Sequence, residues 1–176
     1  DYIPALAHAP RHLFGACIVG TSGQVHAVGD AEHRFSIQSV SKPFVFALVC
    51  EAIGDEPARE RLGANNTGLP FNSVMAVELN EHRTMNPMLN AGAIATTSLV
   101  PGADAAERWD RIHDGLSRFA GRRLEVDEAV YASEAATNQR NAGIAHLLAS
   151  YGRLEGDPDE ATDVYTRQCS LLVDCR

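Results

Sequence analysis

Lysine is almost missing from this sequence: of its fifteen basic residues fourteen are arginine, and Lys42 stands alone. Positive charge as a whole is scarce. Twenty-three acidic residues set the net charge at −8, which argues against a nucleic-acid partner or an anionic membrane surface. No apolar run reaches the length of a bilayer-spanning helix, so none is expected. Repeats, low-complexity tracts, long linkers and a signal-peptide pattern are also absent. The chain opens at Asp1 rather than a methionine, so sequence upstream of it is expected. What is present is 176 residues, 45% hydrophobic and 22% charged, the profile of one soluble globular domain long enough to bury a core.

Cysteine is sparse and unpatterned. Cys17, Cys50, Cys169 and Cys175 follow no C-x-x-C spacing. Cys17 and Cys50 sit in apolar runs and read as small core residues. Reduced thiols of a cytoplasmic protein are expected, with a Cys169–Cys175 disulfide left open. No metal site is expected either: His8 and His12 have helical spacing, but Pro10 between them disfavours a shared helix.

Along the chain, Phe14 to Val19 and Gln24 to Val28 read as two strands joined by a turn at Thr21, Ser22 and Gly23. Phe44 to Ile53 carries one charge in ten residues and predicts a helix buried on every side, ended by Gly54 and Asp55. Residues 65–70 read as loop. Asn86 and Pro87 suit an N-cap and first helical position, opening an Ala-rich helix to about Leu99. Asp104 and Glu107 form a capping-box pattern ahead of a helix with Trp109, Ile112, Leu116 and Phe119 on one stripe, stopped by Gly121. Ser133 is expected to cap a third helix with Ile144, Leu147, Leu148 and Tyr151 on its apolar face. A fourth starts at Asp157 and Pro158 and continues through Leu171 and Leu172. No strand is expected after the hairpin. Two strands are too small a sheet to cover a central helix, which predicts either a mostly helical fold or an α+β fold lacking its last strands, the second being favoured.

The lone lysine lies three residues after Ser39, and residues i and i+3 share a helix face. Serine needs a base to take its proton. Lysine supplies one when burial lowers its pKa, which arginine cannot do at neutral pH. The apolar helix that follows would provide that burial, and its N-terminus would aim N–H groups at an oxyanion. Ser36 and Ser41 compete as nucleophiles, but neither has a lysine at +3. An idle surface lysine is the plain alternative. Glu134, Asn138 and Asn141 recur at helical offsets and read either as a polar solvent face or as recognition of a small zwitterion, with the carboxylate taking an ammonium. Asn90, in an Ala-rich helix beside Gly92, carries the same two readings, while Tyr165 reads either as core or surface packing or as a hydroxyl that could relay a proton.

These residues fall in a pattern. Asp1–Leu6, Phe35–Lys42 (FSIQSVSK), Asn86–Ile94 (NPMLNAGAI), Ser133 and Glu134 with Arg140 and Asn141, and Tyr165–Ser170 (YTRQCS) resemble the bacterial-type serine-dependent glutaminases. Those enzymes belong to the β-lactamase and penicillin-binding-protein fold group. The resemblance implies an α+β, β-lactamase/transpeptidase-like fold, with a helical block and an antiparallel sheet, and one catalytic domain over residues 1–176. It implies Ser39 as nucleophile, Lys42 as its base, and Ser39, Asn90, Glu134, Asn141 and Tyr165 as contacts to L-glutamine, with Tyr165 also aiding proton transfer. The implied reaction is hydrolysis of the glutamine side-chain amide to L-glutamate and ammonia, without a metal or cofactor, in a homo-oligomer (dimer or tetramer).

One departure stands out. The family continues past the position of Arg176 with further strands, another substrate tyrosine and a glycine-rich segment that supplies a backbone contact. The domain is therefore expected to be truncated at its C-terminus, and unstable or inactive alone. Two other readings remain open at this stage. One is another Ser-x-x-Lys acyl-transfer hydrolase of the β-lactamase or peptidase type, which Glu134 and Asn138 echo but the absence of a Ser-Asp-Asn segment disfavours. The other is a catalytically dead glutamine-binding fragment.

Overall fold

The computed structural model describes residues 3–66 and 68–176. Asp1 and Tyr2, which open the first of the family-like stretches, and Thr67 of the 65–70 loop lie outside the described residues.

The expected hairpin is present. Strands β1 (Gly15–Val19) and β2 (Val25–Gly29) pair antiparallel, with Gly15 opposite Gly29 and Val19 opposite Val25. Gly23 turns the chain at φ 83°, a conformation glycine adopts without steric cost. Contrary to the sequence reading, strands do follow. Strand β3 (Phe35–Ser36) pairs antiparallel with β4 (Leu172–Val173), and Ile37 N–H donates to the Leu171 carbonyl at 2.8 Å. Strands this short carry no readable alternation, and only the tertiary fold brings residues 35 and 173 together. The fourth predicted helix accordingly stops before Leu171 rather than running through it.

Helices make up most of the rest: α1 (Ser41–Ile53), α2 (Asp55–Leu62), α3 (Val74–Glu78), α4 (Asn90–Leu99), α5 (Ala105–Phe119), α6 (Glu128–Ala135), α7 (Gln139–Ser150) and α8 (Pro158–Cys169). Asp104 caps α5 by accepting from Glu107 N–H at 2.8 Å, and Asp157 caps α8 by accepting from Asp159 and Glu160 N–H. Both starts follow the local signals in the sequence. Phe119, placed on the α5 stripe, is instead half exposed against Phe44.

Three helix readings change. The helix buried on every side is α4, not α1: every residue from Asn90 to Ser98 is buried, whereas α1 leaves Pro43, Ala47, Glu51 and Ala52 exposed. Small side chains explain the difference, because α1, α2, α7 and α8 can all approach an axis of Ala, Gly, Thr and Ser. Thr96, Thr97 and Ser98 satisfy their hydroxyls on the preceding turn, at Gly92, Ala93 and Ala95 carbonyls. Next, α4 begins at Asn90 rather than after Asn86. Asn86 caps a separate turn, its Oδ1 accepting from Met88 and Leu89 N–H. Finally, Ser133 lies inside α6, which Asp127 caps, and α7 is a separate helix.

Two apolar clusters form the core. One joins Ile94, Ile144, Leu148 and Tyr165; the other joins Val45, Val49, Ile112, Leu116 and Leu171. Phe46 and Leu99 pack against both, so the helices share one interior. Cys17 and Cys50 are only half buried, and all four cysteines are free thiols, Cys169 with Cys175 included.

Candidate active site

Ser39 sits at the middle of a 3-10 turn (Gln38–Val40) that links β3 to α1. Val40 (φ −65°, ψ −21°) and Ser41 (φ −62°, ψ −28°) are right-handed, so the turn runs into α1 unbroken and keeps Ser39 and Lys42 three residues apart on one winding. Ser39 is exposed, while Lys42 is 4% exposed. Lys42 Nζ donates to Asn90 Oδ1 at 2.8 Å and to the Met88 carbonyl at 3.0 Å, and it stands 5.9 Å from the centre of the Phe71 ring. No hydrogen bond joins Ser39 to Lys42 among the described residues. Burial holds the Lys42 amine below the usual lysine range.

Asn90 is the hub. It opens α4, and its N–H donates to the Phe71 carbonyl at 3.0 Å. Its Oδ1 accepts hydrogen bonds from Lys42 Nζ and, at 3.5 Å, from Tyr165 Oη, while its Nδ2 donates to Asn141 Oδ1 at 3.0 Å. Gly92 lets the preceding loop come this close: a Cβ there would sit 1.8 Å from the Asn86 carbonyl oxygen. The backbone of Asn86 to Leu89 therefore lies against α4, and Met88 presents its carbonyl to Lys42.

Asn141 in the first turn of α7, Glu134 in the last turn of α6 and Tyr165 on α8 are all buried. The single-helix face expected for Glu134, Asn138 and Asn141 does not exist. A turn through Thr137 separates the helices, and Asn138 at the head of α7 donates to Thr166 Oγ1 at 3.1 Å. Beneath these groups lies Cys169, which the sequence reading considered only as a disulfide partner. Its thiol is pushed up to about 12, first by burial and then by the Glu134 charge. The Cys169 charge in turn raises the Lys42 pKa, an effect smaller than the burial that lowers it.

A cavity of about 130 Å³ opens beside this network, with Phe71, Asn72, Asn90, Asn138, Arg140 and Asn141 in its wall. Arg140 closes its rim by donating to the Asn72 carbonyl at 3.0 Å. Neither Phe71 nor Asn72 was legible as a site residue, since both lie in an irregular stretch without periodicity. A larger groove of about 680 Å³ passes Phe14, Arg34, Phe35, Gln38 and Asp127, and none of Lys42, Asn90, Glu134, Asn141 or Tyr165 lines it. Chemistry, rather than size, marks the smaller cavity: it alone of the two touches the lysine–asparagine network.

An α+β fold in which a 3-10 turn carrying a serine runs into a helix with a buried lysine, and polar side chains of four other helices lie beside them, is of the β-lactamase-like class. The glutaminase family profile matches residues 1–176, and the chain belongs to that family. It is 60% identical over 173 residues to glutaminase 2 of Yersinia pestis, covering 98% of this chain and 51% of that protein. With the glutaminase of Brucella canis the identity is 53% over 173 residues, again 98% of this chain and 55% of the other. The solved structure of a probable glutaminase, ybaS, superimposes with a TM-score of 0.96 at 45% identity, covering 99% of this chain and 56% of that one. Mglu in its glutamate form superimposes with a TM-score of 0.90 at 39% identity, covering 99% and 40%. The chain thus spans about half the length of the curated relatives it matches.

Proposed function

We propose that this chain carries catalytic machinery for hydrolysing the side-chain amide of L-glutamine to L-glutamate and ammonia. Ser39 Oγ attacks the amide carbonyl as Lys42 Nζ accepts its proton, and the α1 N-terminus faces the developing oxyanion. The C–N bond breaks, the nitrogen leaves as ammonia with a proton relayed through Lys42 and Tyr165, and water then hydrolyses the ester to regenerate Ser39. Glu134 takes the substrate ammonium, while Asn90 and Asn141 hold its carboxylate or carboxamide. The observation that carries this reading is the buried Lys42 amine, 2.8 Å from Asn90 Oδ1, with its proton loosened by burial.

The remaining parts of the reading follow from the same family. Residues 1–176 belong to one catalytic domain, a reading that the two core clusters linked through Phe46 and Leu99 support. The protein is a cytoplasmic homo-oligomer, a dimer or tetramer, and four free thiols are in keeping with a reducing compartment. No helix among the described residues is long and apolar enough to cross a membrane.

Ammonia release from L-glutamine tests the reaction. In the protein at the full length of its relatives, release is expected with Ser39 present and lost in Ser39→Ala, while that variant still binds glutamine by calorimetry. Equal release from the parent and Ser39→Ala contradicts the assignment.

A further inference from the structure

Ser41, the discarded competitor of Ser39, is fully buried, and its hydroxyl belongs to a chain of polar groups. Ser41 Oγ donates to the Gln38 carbonyl at 2.8 Å and accepts from Gln168 Nε2 at 3.2 Å. Gln168 Oε1 in turn lies 3.0 Å from Thr97 Oγ1, which shares its proton with the Ala93 carbonyl at 3.0 Å. Ser41, Thr97 and Gln168 are each 0% exposed. A buried glutamine amide is costly unless both ends are paired, and here both are. The chain ends on backbone in an unusual conformation: Gln38 has φ 49°, a left-handed value that a side-chain-bearing residue seldom adopts.

We infer that Thr97, Gln168 and Ser41 form a buried tie that holds the Gln38 carbonyl and so fixes the turn presenting Ser39. Ser41 and Gln168 are positioning residues for the nucleophile. The tie pulls on the carbonyl from inside, through Ser41 Oγ and Ser41 N–H together. Outside, Gln38 Nε2 donates to Ser36 Oγ at 3.2 Å, anchoring the same residue to β3. A strained residue persists only where its surroundings over-determine it, and Gln38 is held at both its carbonyl and its amide.

The tie also sets what Ser39 is aligned against. Gln168 follows Tyr165 by three positions on α8, and Thr97 follows Asn90 by seven on α4, so each tie residue shares a helix face with a residue of the site. One hydrogen-bonded path thereby registers the turn before Ser39 against both helices that carry Asn90 and Tyr165. Ser41, at 0% exposure inside this path, is out of a substrate's reach, whereas Ser39 is exposed.

This inference rests on Ser39 as nucleophile, and its test separates the two. Ser41→Ala removes the tie at its centre. Gln168→Met removes it with nearly the same volume while leaving Ser41 and Thr97 their backbone acceptors, so it keeps the test informative if Ser41→Ala folds poorly. Structures are expected to show Gln38 relaxed out of the left-handed region in Ser41→Ala, and shifted in the same direction by less in Gln168→Met, where Ser41 loses its inner partner but keeps its bond to the Gln38 carbonyl. Turnover of glutamine is expected to fall by about tenfold or more in kcat with KM nearly unchanged, and the double variant to lose no more than the worse single one, as members of one network do. If Gln38 keeps φ near its present value in both variants, the tie is overturned whatever the activity. If Ser39→Ala abolishes turnover while both tie variants keep the parental kcat, the tie falls and the nucleophile stands. If Ser39→Ala turns over normally, the nucleophile reading falls, and the conformation of Gln38 alone decides the tie.

Discussion

Lys42 Nζ lies 2.8 Å from Asn90 Oδ1, with neither residue more than 4% exposed. The partner is a neutral amide, not a carboxylate. It orients the amine without supplying the negative charge that would hold its proton, so desolvation decides the direction of the lysine pKa. That choice of partner suits a lysine that must act as a base.

Replacing the amide by a carboxylate therefore reverses the effect. Asn90→Asp places an opposite charge against Lys42 and removes the donor to Asn141. The rising limb of glutamine hydrolysis against pH is expected to move to higher pH, each unit costing about tenfold on that limb. A pH–rate profile in the same position as the parent's contradicts Lys42 as the base.

The same lysine links stability to pH. Its pKa is lowered on folding, so between the folded value and the ordinary 10.5 the unfolded chain binds more protons. The Lys42 contribution to stability is least favourable at low pH and improves as pH rises through that window. Comparing urea melts of the parent and Lys42→Met, the difference in stability is expected to shift toward the parent as pH increases. A pH-independent difference means that Lys42 titrates alike in both states.

Gly92→Ala tests the close approach that delivers the Met88 carbonyl. Its Cβ would meet the Asn86 carbonyl oxygen at 1.8 Å, a rigid backbone atom. Overpacking of this kind costs about 1–3 kcal/mol. A lower melting temperature and a raised KM for glutamine are expected together; an unchanged melting temperature contradicts the packing argument.

How far the sequence could be read follows from how local each signal is. Asp104 with Glu107, and Asp157 with Pro158, act within one turn, and α5 and α8 begin where those residues place them. Lys42 stood out by composition and spacing, and its burial followed from the apolar residues after it. Ser133 misled because a helical offset survives across two helices: the turn through Thr137 contains neither glycine nor proline to announce it. Strands β3 and β4 are too short for a period. The contacts of Cys169 and Gln168 with Ser41 span more than a hundred residues, so only the fold brings them together. Site residues were legible as chemical oddities, but the hub role of Asn90 was not.

Asp157 offers a milder check on the frame of the site. It caps the helix that carries both Tyr165 and Gln168. Asp157→Ala is expected to lower stability by about 1 kcal/mol, read as a lower urea midpoint at constant slope. A midpoint equal to the parent's shows that the cap adds nothing.

The most direct test of the account is the covalent intermediate itself. Rapid acid quenching of the protein at the full length of its relatives during reaction with L-glutamine, followed by peptide mass spectrometry, is expected to find one glutamyl ester on the peptide carrying Ser39, and none in Ser39→Ala. A glutamyl group on Ser41, Cys169 or any other residue, or turnover by Ser39→Ala without an adduct, contradicts the assignment of Ser39 as the nucleophile.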